Sequence, residues 1–409
     1  VPSSGVVKHI RDACTHLRDG VRLLRQSVTI PQRAAFVGLC ASIVALISGG
    51  WRATPYNNQV LLAQAMLHGH LAIAWPGAYI DALPWHGQHY VIEGPLPAVL
   101  LLPFVALWGA ATNQTLLGVA LCGVAISAAW RLLTALGLPG ARVGWLTLAT
   151  FAGTDLWWCA SLGDVWFIAH VAAFAATMLA LAEIWGEGRS WLVALYGCAA
   201  TAARFSMLGA LPIEALLLVF VRRRSRSQVV VAYTIVVGLA LCGDIAYNLA
   251  RWGVPYDIGY TAWYHLDTAG SPTGSPFQLR YLPGELVAWF FALPIVVPHA
   301  PWLLSPMTGI GLPVTSPFLA FAFAARRPYP TVWLLWLATL LTAVPSLLYY
   351  VDGYDQFGMR HALDAEPFLI ALTALALVSG PARWFTPLVL WSSAVGGWGV
   401  WYWHAVLGR

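Results

Sequence analysis

Apolar runs long enough to cross a hydrocarbon layer about 30 Å thick recur from one end of the chain to the other. The spacing predicts spans over about 34–50, 113–136, 142–160, 164–184, 229–250, 330–349, 361–379 and 385–404. Two stretches break the pattern. The run 94–109 (GPLPAVLLLPFVALWG) is short and holds Pro95, Pro97 and Pro103, which predicts a helix lying in or dipping into the interface. The run 190–221 is too long for one span and its middle, Ala203-Arg204-Phe205-Ser206, is polar, so two short helices are expected to meet near Arg204. Of the runs 284–300 and 310–325, only one can cross if Arg326 and Arg327 lie inside; the first is expected to be interfacial and the second to span. The expectation is an all-α integral membrane protein of about ten transmembrane helices.

Composition strengthens that picture. The chain is 59% hydrophobic and 10% charged, where soluble domains carry about 25% charged residues. No stretch reads as a separate soluble domain, so residues 33–409 form one polytopic domain with outer loops at 51–112 and 251–283. Residues 1–32 form a basic amphipathic segment, with Lys8, Arg11, Arg18, Arg22 and Arg25. The run at 34–50 lacks a small-residue cleavage site and reads as a retained anchor. The net charge of +5 lies in short Arg clusters between apolar runs rather than in one stripe, which marks cytoplasmic turns and not a nucleic-acid surface. The N-terminus is therefore expected in the cytoplasm. The six cysteines are scattered singly and suggest neither disulfides nor a zinc site.

An ionisable group at bilayer depth costs about 2.5–3.5 kcal/mol on insertion scales, so each needs a partner or a task. On this topology Asp81, Glu93, Asp155, Asp164, His170, Arg204, Asp244, Arg251, Asp257, Arg280, Arg360, Asp364 and Glu366 all fall at outer helix ends or in outer loops. That asymmetry predicts a polar cavity opening outward. Arg251, Asp267, Asp352 and Asp355 are read as ordinary solvated loop residues. His170 reads as a satisfied structural residue before a ligand, and His68, His70, His86 and His89 as solvated. Trp157, Trp158, Trp252, Trp263, Trp401 and Trp403 suit an interfacial belt, with Trp85 and Trp263 as candidates for stacking on a sugar.

Several stretches together resemble the GT-C superfamily of membrane glycosyltransferases that use polyprenyl-phosphate sugars. Tyr56-Asn57-Asn58-Gln59 leading to His68-Gly69 is similar to the helix after the first span in that superfamily. Asp81-Ala82-Leu83, Gly87-Gln88-His89-Tyr90 and Gly94-Pro95-Leu96-Pro97 resemble the stretch before its second interfacial helix. Gly153-Thr154-Asp155, the Ala203-Arg204 break, and Gln356-Phe-Gly-Met-Arg360 before Asp364 and Pro367 resemble later landmarks of bacterial members. Coverage is about 50–370. The family typically carries an acid soon after the first span, whereas this chain has Asn57 and Asn58 there and no acid between Trp51 and Gly69.

The resemblance implies transfer of a sugar from a polyprenyl-phosphate donor to a glycan, lipid or protein acceptor on the outer face of a bacterial plasma membrane. Such transfer needs a base for the acceptor hydroxyl, and cations or a divalent metal for the leaving phosphate. Asp81 is the nearest match for the base and Glu93 the second carboxylate. Asp155, Asp164 and His170 would orient acceptor or metal, and Arg204, Arg280 and Arg360 would grip the donor phosphate. Two other classes stay open on the residues alone: a non-catalytic scaffold subunit on a GT-C-like fold, and a transporter of lipid or small anions.

Overall fold

The computed structural model describes residues 29–76, 81–380 and 382–408. Most of the basic segment 1–32 therefore lies outside the described residues. What is described is almost entirely helical, with two small two-stranded hairpins.

Helix α1 (Ile30–Ser48) begins where Gln32 Oε1 accepts from Thr29 N at 2.8 Å and Pro31 occupies the first turn. The first long loop then carries helix α2 (Asn58–Leu67), the hairpin β1–β2 (Leu83–Trp85 and Gln88–Tyr90) and helix α3 (Leu96–Trp108). The hairpin turns on His86 and Gly87, both at positive φ, as a two-residue turn between strands requires. Helices α4 (Gln114–Ala135), α5 (Gly140–Ala152), α6 (Leu156–Leu162), α7 (Val165–Trp185), α8 (Ser190–Ala203), α9 (Ala210–Val221) and α10 (Arg226–Trp252) follow. The second long loop holds α11 (Gly259–Leu266) and α12 (Leu282–Phe291), then the pair β3–β4 (Ile295–Val296 and Leu303–Leu304). Last come α13 (Leu312–Thr315), α14 (Tyr329–Leu347), α15 (Glu366–Ser379) and α16 (Phe385–Trp401).

Five of these helices, α1, α4, α7, α10 and α14, are long and apolar enough to cross a membrane. Helix α7 is the central one: 89% of its apolar window is buried, and it packs between α4 and α8. Helix α10 is the opposite case, with 6% of its window buried. Helices α1 and α4 meet through small residues. A Cβ on Gly38 would stand 2.4 Å from the Gly123 carbonyl oxygen, and Ser42 Oγ donates to Val119 O at 3.0 Å. Lipid offers apolar side chains no reason to leave it, so such close backbone contact is what holds two helices together there.

The break expected at Arg204 is present. Arg204 is extended (φ −145°, ψ 118°) and a 3₁₀ turn, Phe205–Gly209, joins α8 to α9. The far ends of the two helices return to each other, because Arg224 donates to the carbonyls of Gly188 (3.0 Å) and Glu187 (2.6 Å). Helices α8 and α9 thus form a hairpin with Arg204 at its tip. The bundle is polarised. Arg142 on the carbonyls of Leu377 and Gly380, Arg189 on Glu183, and Arg224 occupy one end, and the acids of the two long loops the other.

Two expected spans are not single helices. The run 142–160 divides into α5 and α6 at Gly153-Thr154-Asp155, where Ser316 Oγ takes the Gly153 carbonyl (2.6 Å) and a Cβ would collide with Ser392. The run 310–325 is α13 followed by a 3₁₀ segment, Pro317–Ala324. Pro317 lacks a donor and forces Ser316 out of the helical region (φ −132°, ψ 46°), so a continuous helix cannot form. The tryptophan belt is also only partly realised. Trp157, Trp263 and Trp401 keep exposed surface, but Trp158, Trp252 and Trp403 are buried.

Gly123→Val is expected to force α1 and α4 apart and to cost about 1–3 kcal/mol. Thermal unfolding of the detergent-solubilised variant should show a lowered Tm, and an unchanged Tm would mean the two helices are not held by that contact.

Candidate functional site

The acidic end is organised by the first turns of α7. Asp164 precedes the helix and accepts a hydrogen bond from Thr54. The helical repeat then points Trp166, Phe167 and His170 at three different segments. Trp166 Nε1 donates to Asp81 Oδ2 at 2.6 Å, and its ring lies 4.8 Å from that of Tyr56. Asn58 Nδ2 donates to the Asp81 carbonyl at 2.6 Å, so the first outer loop is tied down at the acid itself. Phe167 lies under the Arg360 guanidinium, 5.3 Å from its ring centroid. His170 Nδ1 donates to Asp364 Oδ1 at 3.0 Å and stacks on His361 at 5.5 Å.

Asp364 is the hub. Besides His170 it accepts from Arg204 Nε (2.9 Å) and Ser206 Oγ (2.6 Å), and it is 1% exposed. Arg204 and His170 hold its carboxyl well below the ordinary 3.8 against the opposing effect of burial, so it stays ionised. This explains why the hairpin tip is polar: Arg204 and Ser206 neutralise an aspartate from a segment 158 residues away. Arg204 spends only Nε on this bond, and its two terminal nitrogens make no hydrogen bond to the described residues.

Glu93 reaches the same place by close backbone packing. A Cβ on Gly94 would lie 2.3 Å from the Ala202 carbonyl oxygen and 2.4 Å from that of Ala203, so only glycine lets this loop press on the end of α8 beside Arg204. Glu93 is buried, and its Oε2 has no hydrogen-bond partner. Burial and the neighbouring Asp81 push its carboxyl up to about 8, with Arg204 opposing. The site therefore sets two carboxylates within each other's field next to a guanidinium with donors to spare.

The remaining candidates form a second layer. Asp155 packs on Gly358, whose Cβ would fall 2.4 Å from its Oδ1, and burial pushes its carboxyl up to about 7 against the field of Arg360. Arg360 is buried, donates from NH1 to the Tyr354 carbonyl at 3.2 Å, and burial lowers it to about 10, which leaves it cationic at neutral pH. Asp164 faces an adjoining cavity of about 290 Å³ lined by Arg52, Thr54, Tyr56, Ser161 and His404. Arg280 stands apart from these groups. It is exposed and donates to the hydroxyls of Tyr264 (2.9 Å) and Tyr281 (2.6 Å).

Some residues read as solvated are not. Arg251 is buried, donating to Val91 O (3.1 Å) and Asn248 Oδ1 (2.8 Å) with Asp257 at 3.5 Å, and it clamps the start of the second loop onto the first. Asp267 accepts from the Tyr350 hydroxyl. His68, His70 and His86 are exposed as expected, and His89 is half-buried against Trp75. Among the described residues no three His, Cys, Asp or Glu side chains converge as ligands.

Two stability outcomes follow. Asp364→Asn removes the buried charge that pairs with half-buried Arg204 and should cost about 3–5 kcal/mol, seen as a large fall in Tm. Glu93 works in the opposite sense. Its folded value lies above the ordinary 4.5, so the stability of the neutral form is fully present below pH 4.5 and is lost as pH rises to about 8. Glu93→Gln should match the wild type near pH 4.5 and exceed it in Tm above pH 8, by about 5 kcal/mol at full titration; parallel Tm profiles would rule that out.

No protein-family model matches the chain, and no curated protein or solved structure matches it.

Proposed function

We propose that this chain is a membrane glycosyltransferase with a GT-C-like arrangement of about ten crossings. It would move a sugar from a polyprenyl-phosphate donor to a glycan, lipid or protein acceptor at the outer face of the plasma membrane. The observation that carries the reading is the meeting of Asp81 and Glu93 with Arg204, whose terminal nitrogens are unspent. Asp364 already holds Arg204 in place through Nε, so a phosphate gains two oriented donors without reorganising the side chain.

The step balances with these groups alone. The acceptor oxygen attacks the anomeric carbon, its proton passes to Asp81, and the bond from that carbon to the phosphate oxygen breaks with its electron pair going to the phosphate. Trp166 Nε1 orients the Asp81 carboxylate through Oδ2, and that carboxylate receives the proton. Arg204 neutralises the leaving phosphate and Arg360 adds positive field from behind Phe167. Glu93, neutral at pH 7 beside Asp81, donates a hydrogen bond to the sugar or phosphate and adds no negative charge to the site.

A second reading, a transporter, is favoured by one observation. Glu214 in α9 is fully buried with neither carboxylate oxygen hydrogen-bonded, as in chains that move protons or cations through a bundle. Passage of a lipid or anion across sealed liposomes without any covalent product would select it.

Asp81→Asn keeps an oxygen for Trp166 Nε1 but cannot take a proton. Release of polyprenyl phosphate from a radiolabelled panel of donors should fall by about 10²–10⁴-fold, with Tm unchanged. Wild-type turnover in this variant would remove Asp81 from the mechanism.

A further inference from the structure

Above the two carboxylates lies a group of tyrosines that the proposed reaction has not used. Gly259 approaches so closely that its Cβ would sit 3.3 Å from Ile92, which sets Tyr260, the next residue on α11, beside Glu93. The charges of both Glu93 and Arg204 act on the Tyr260 hydroxyl. From the other side comes Tyr349, at the end of α14. The rings of Tyr260 and Tyr349 are 6.0 Å apart at 84°, and Glu93 acts on Tyr349 as well. One turn along α11, Tyr264 meets Tyr350 at 4.9 Å and 76°, and Tyr349 and Tyr350 touch at 4.8 Å.

The arrangement is braced on both sides. Gln278 N donates to Leu348 O at 2.8 Å, and Phe277 pairs with Tyr349 across an antiparallel bridge. Arg280 ties Tyr264 to Tyr281, which are themselves 3.0 Å apart hydroxyl to hydroxyl. Tyr260 and Tyr349 are nonetheless half-buried, and the Tyr260 hydroxyl makes no hydrogen bond to the described residues.

We infer that Tyr260 and Tyr349 form a rigid aromatic platform that receives the pyranose or furanose ring of the lipid-linked donor beside Glu93, with the donor phosphate on Arg204. This inference rests on the transferase reading. The chemistry suits such a ring: the C–H face of a sugar packs on aromatic faces held at fixed geometry, and the tyrosine hydroxyl stays available for a ring hydroxyl. Arg280 serves here as a brace for the platform through Tyr264 rather than as a phosphate ligand.

The test is equilibrium binding to the full chain in nanodiscs, comparing plain polyprenyl phosphate with polyprenyl-phosphate glucose, mannose, galactose and arabinose. In the wild type at least one sugar-bearing lipid should bind more tightly than the plain one. Tyr260→Ala and Tyr349→Ala should erase that advantage, a loss of about tenfold or ~1.4 kcal/mol, while plain polyprenyl phosphate binds as before, which certifies the fold and the phosphate grip. Tyr260→Phe should keep most of the advantage. Equal binding of the sugar-bearing lipid by wild type and both alanine variants overturns the platform while leaving the transferase reading intact. A raised KM for the acceptor alone, with donor binding unaltered, overturns the assignment to the donor. Failure of the wild type to bind any of these lipids overturns the transferase reading and the platform with it.

Discussion

A carboxylate cannot stay ionised inside an apolar bundle unless donors surround it, and Asp364 is where this chain meets that demand. Three donors from two segments far away in sequence converge on its two oxygens: His170 from the central helix, and Arg204 and Ser206 from the tip of the α8–α9 hairpin. Helix α7 then carries the order outward, because the turns that hold His170 also hold Phe167 under Arg360 and Trp166 on Asp81. Remove the buried charge and the hairpin tip loses its anchor; remove the hairpin and the charge cannot be kept. The breaks in α8–α9 and in α5–α6 are the geometric expression of this constraint, since each bends the chain where a polar group must face inward.

The polar end divides into a structural layer and a reactive one. Asp364 is committed to Arg204, His170 Nδ1 and Ser206, while His170 Nε2 is buried without a hydrogen-bond partner. Glu93 and Arg204 sit at the edge of that layer with capacity in reserve, and Asp81 lies beside them under Trp166. Glu93 is the clearest case, buried with an oxygen that no protein donor reaches. Such incomplete satisfaction costs stability, and proteins retain it where a bound molecule completes it.

Much of this was legible before any coordinates. The long apolar helices stand where hydropathy put them, and the polar tetrad Ala203–Ser206 announced the hairpin tip because nothing else explains an arginine in the middle of an apolar run. Asp364 was legible as an outer-end acid but not as a hub, since its partners lie 158 to 194 residues away and no local pattern encodes them. Arg251 misled for the same reason: a loop arginine looks solvated until Val91 and Asn248 fold over it. The divided runs at 142–160 and 310–325 failed because hydropathy averages over the single residues, Gly153 and Pro317, that decide where a helix stops. Tyr260 and Tyr349 gave no signal at all, as tyrosine is common at membrane boundaries for reasons unrelated to any site.

Helix α10 carries a consequence of another kind. At 27 residues it is about 40 Å long, well beyond a hydrocarbon core of about 30 Å, and it is buried only at Val229 near one end and at Asn248, Arg251 and Trp252 near the other. Between those ends it is exposed or half-buried, touching α8 and α9 along one side. In a bilayer a helix of this length would take up its excess by tilting, kinking or thickening the bilayer locally, and its C-terminal end leads within a few residues into α11 and the Tyr260 ring. A thin membrane and a thick one would then set the end of this helix, and the aromatic rings that follow it, at different heights.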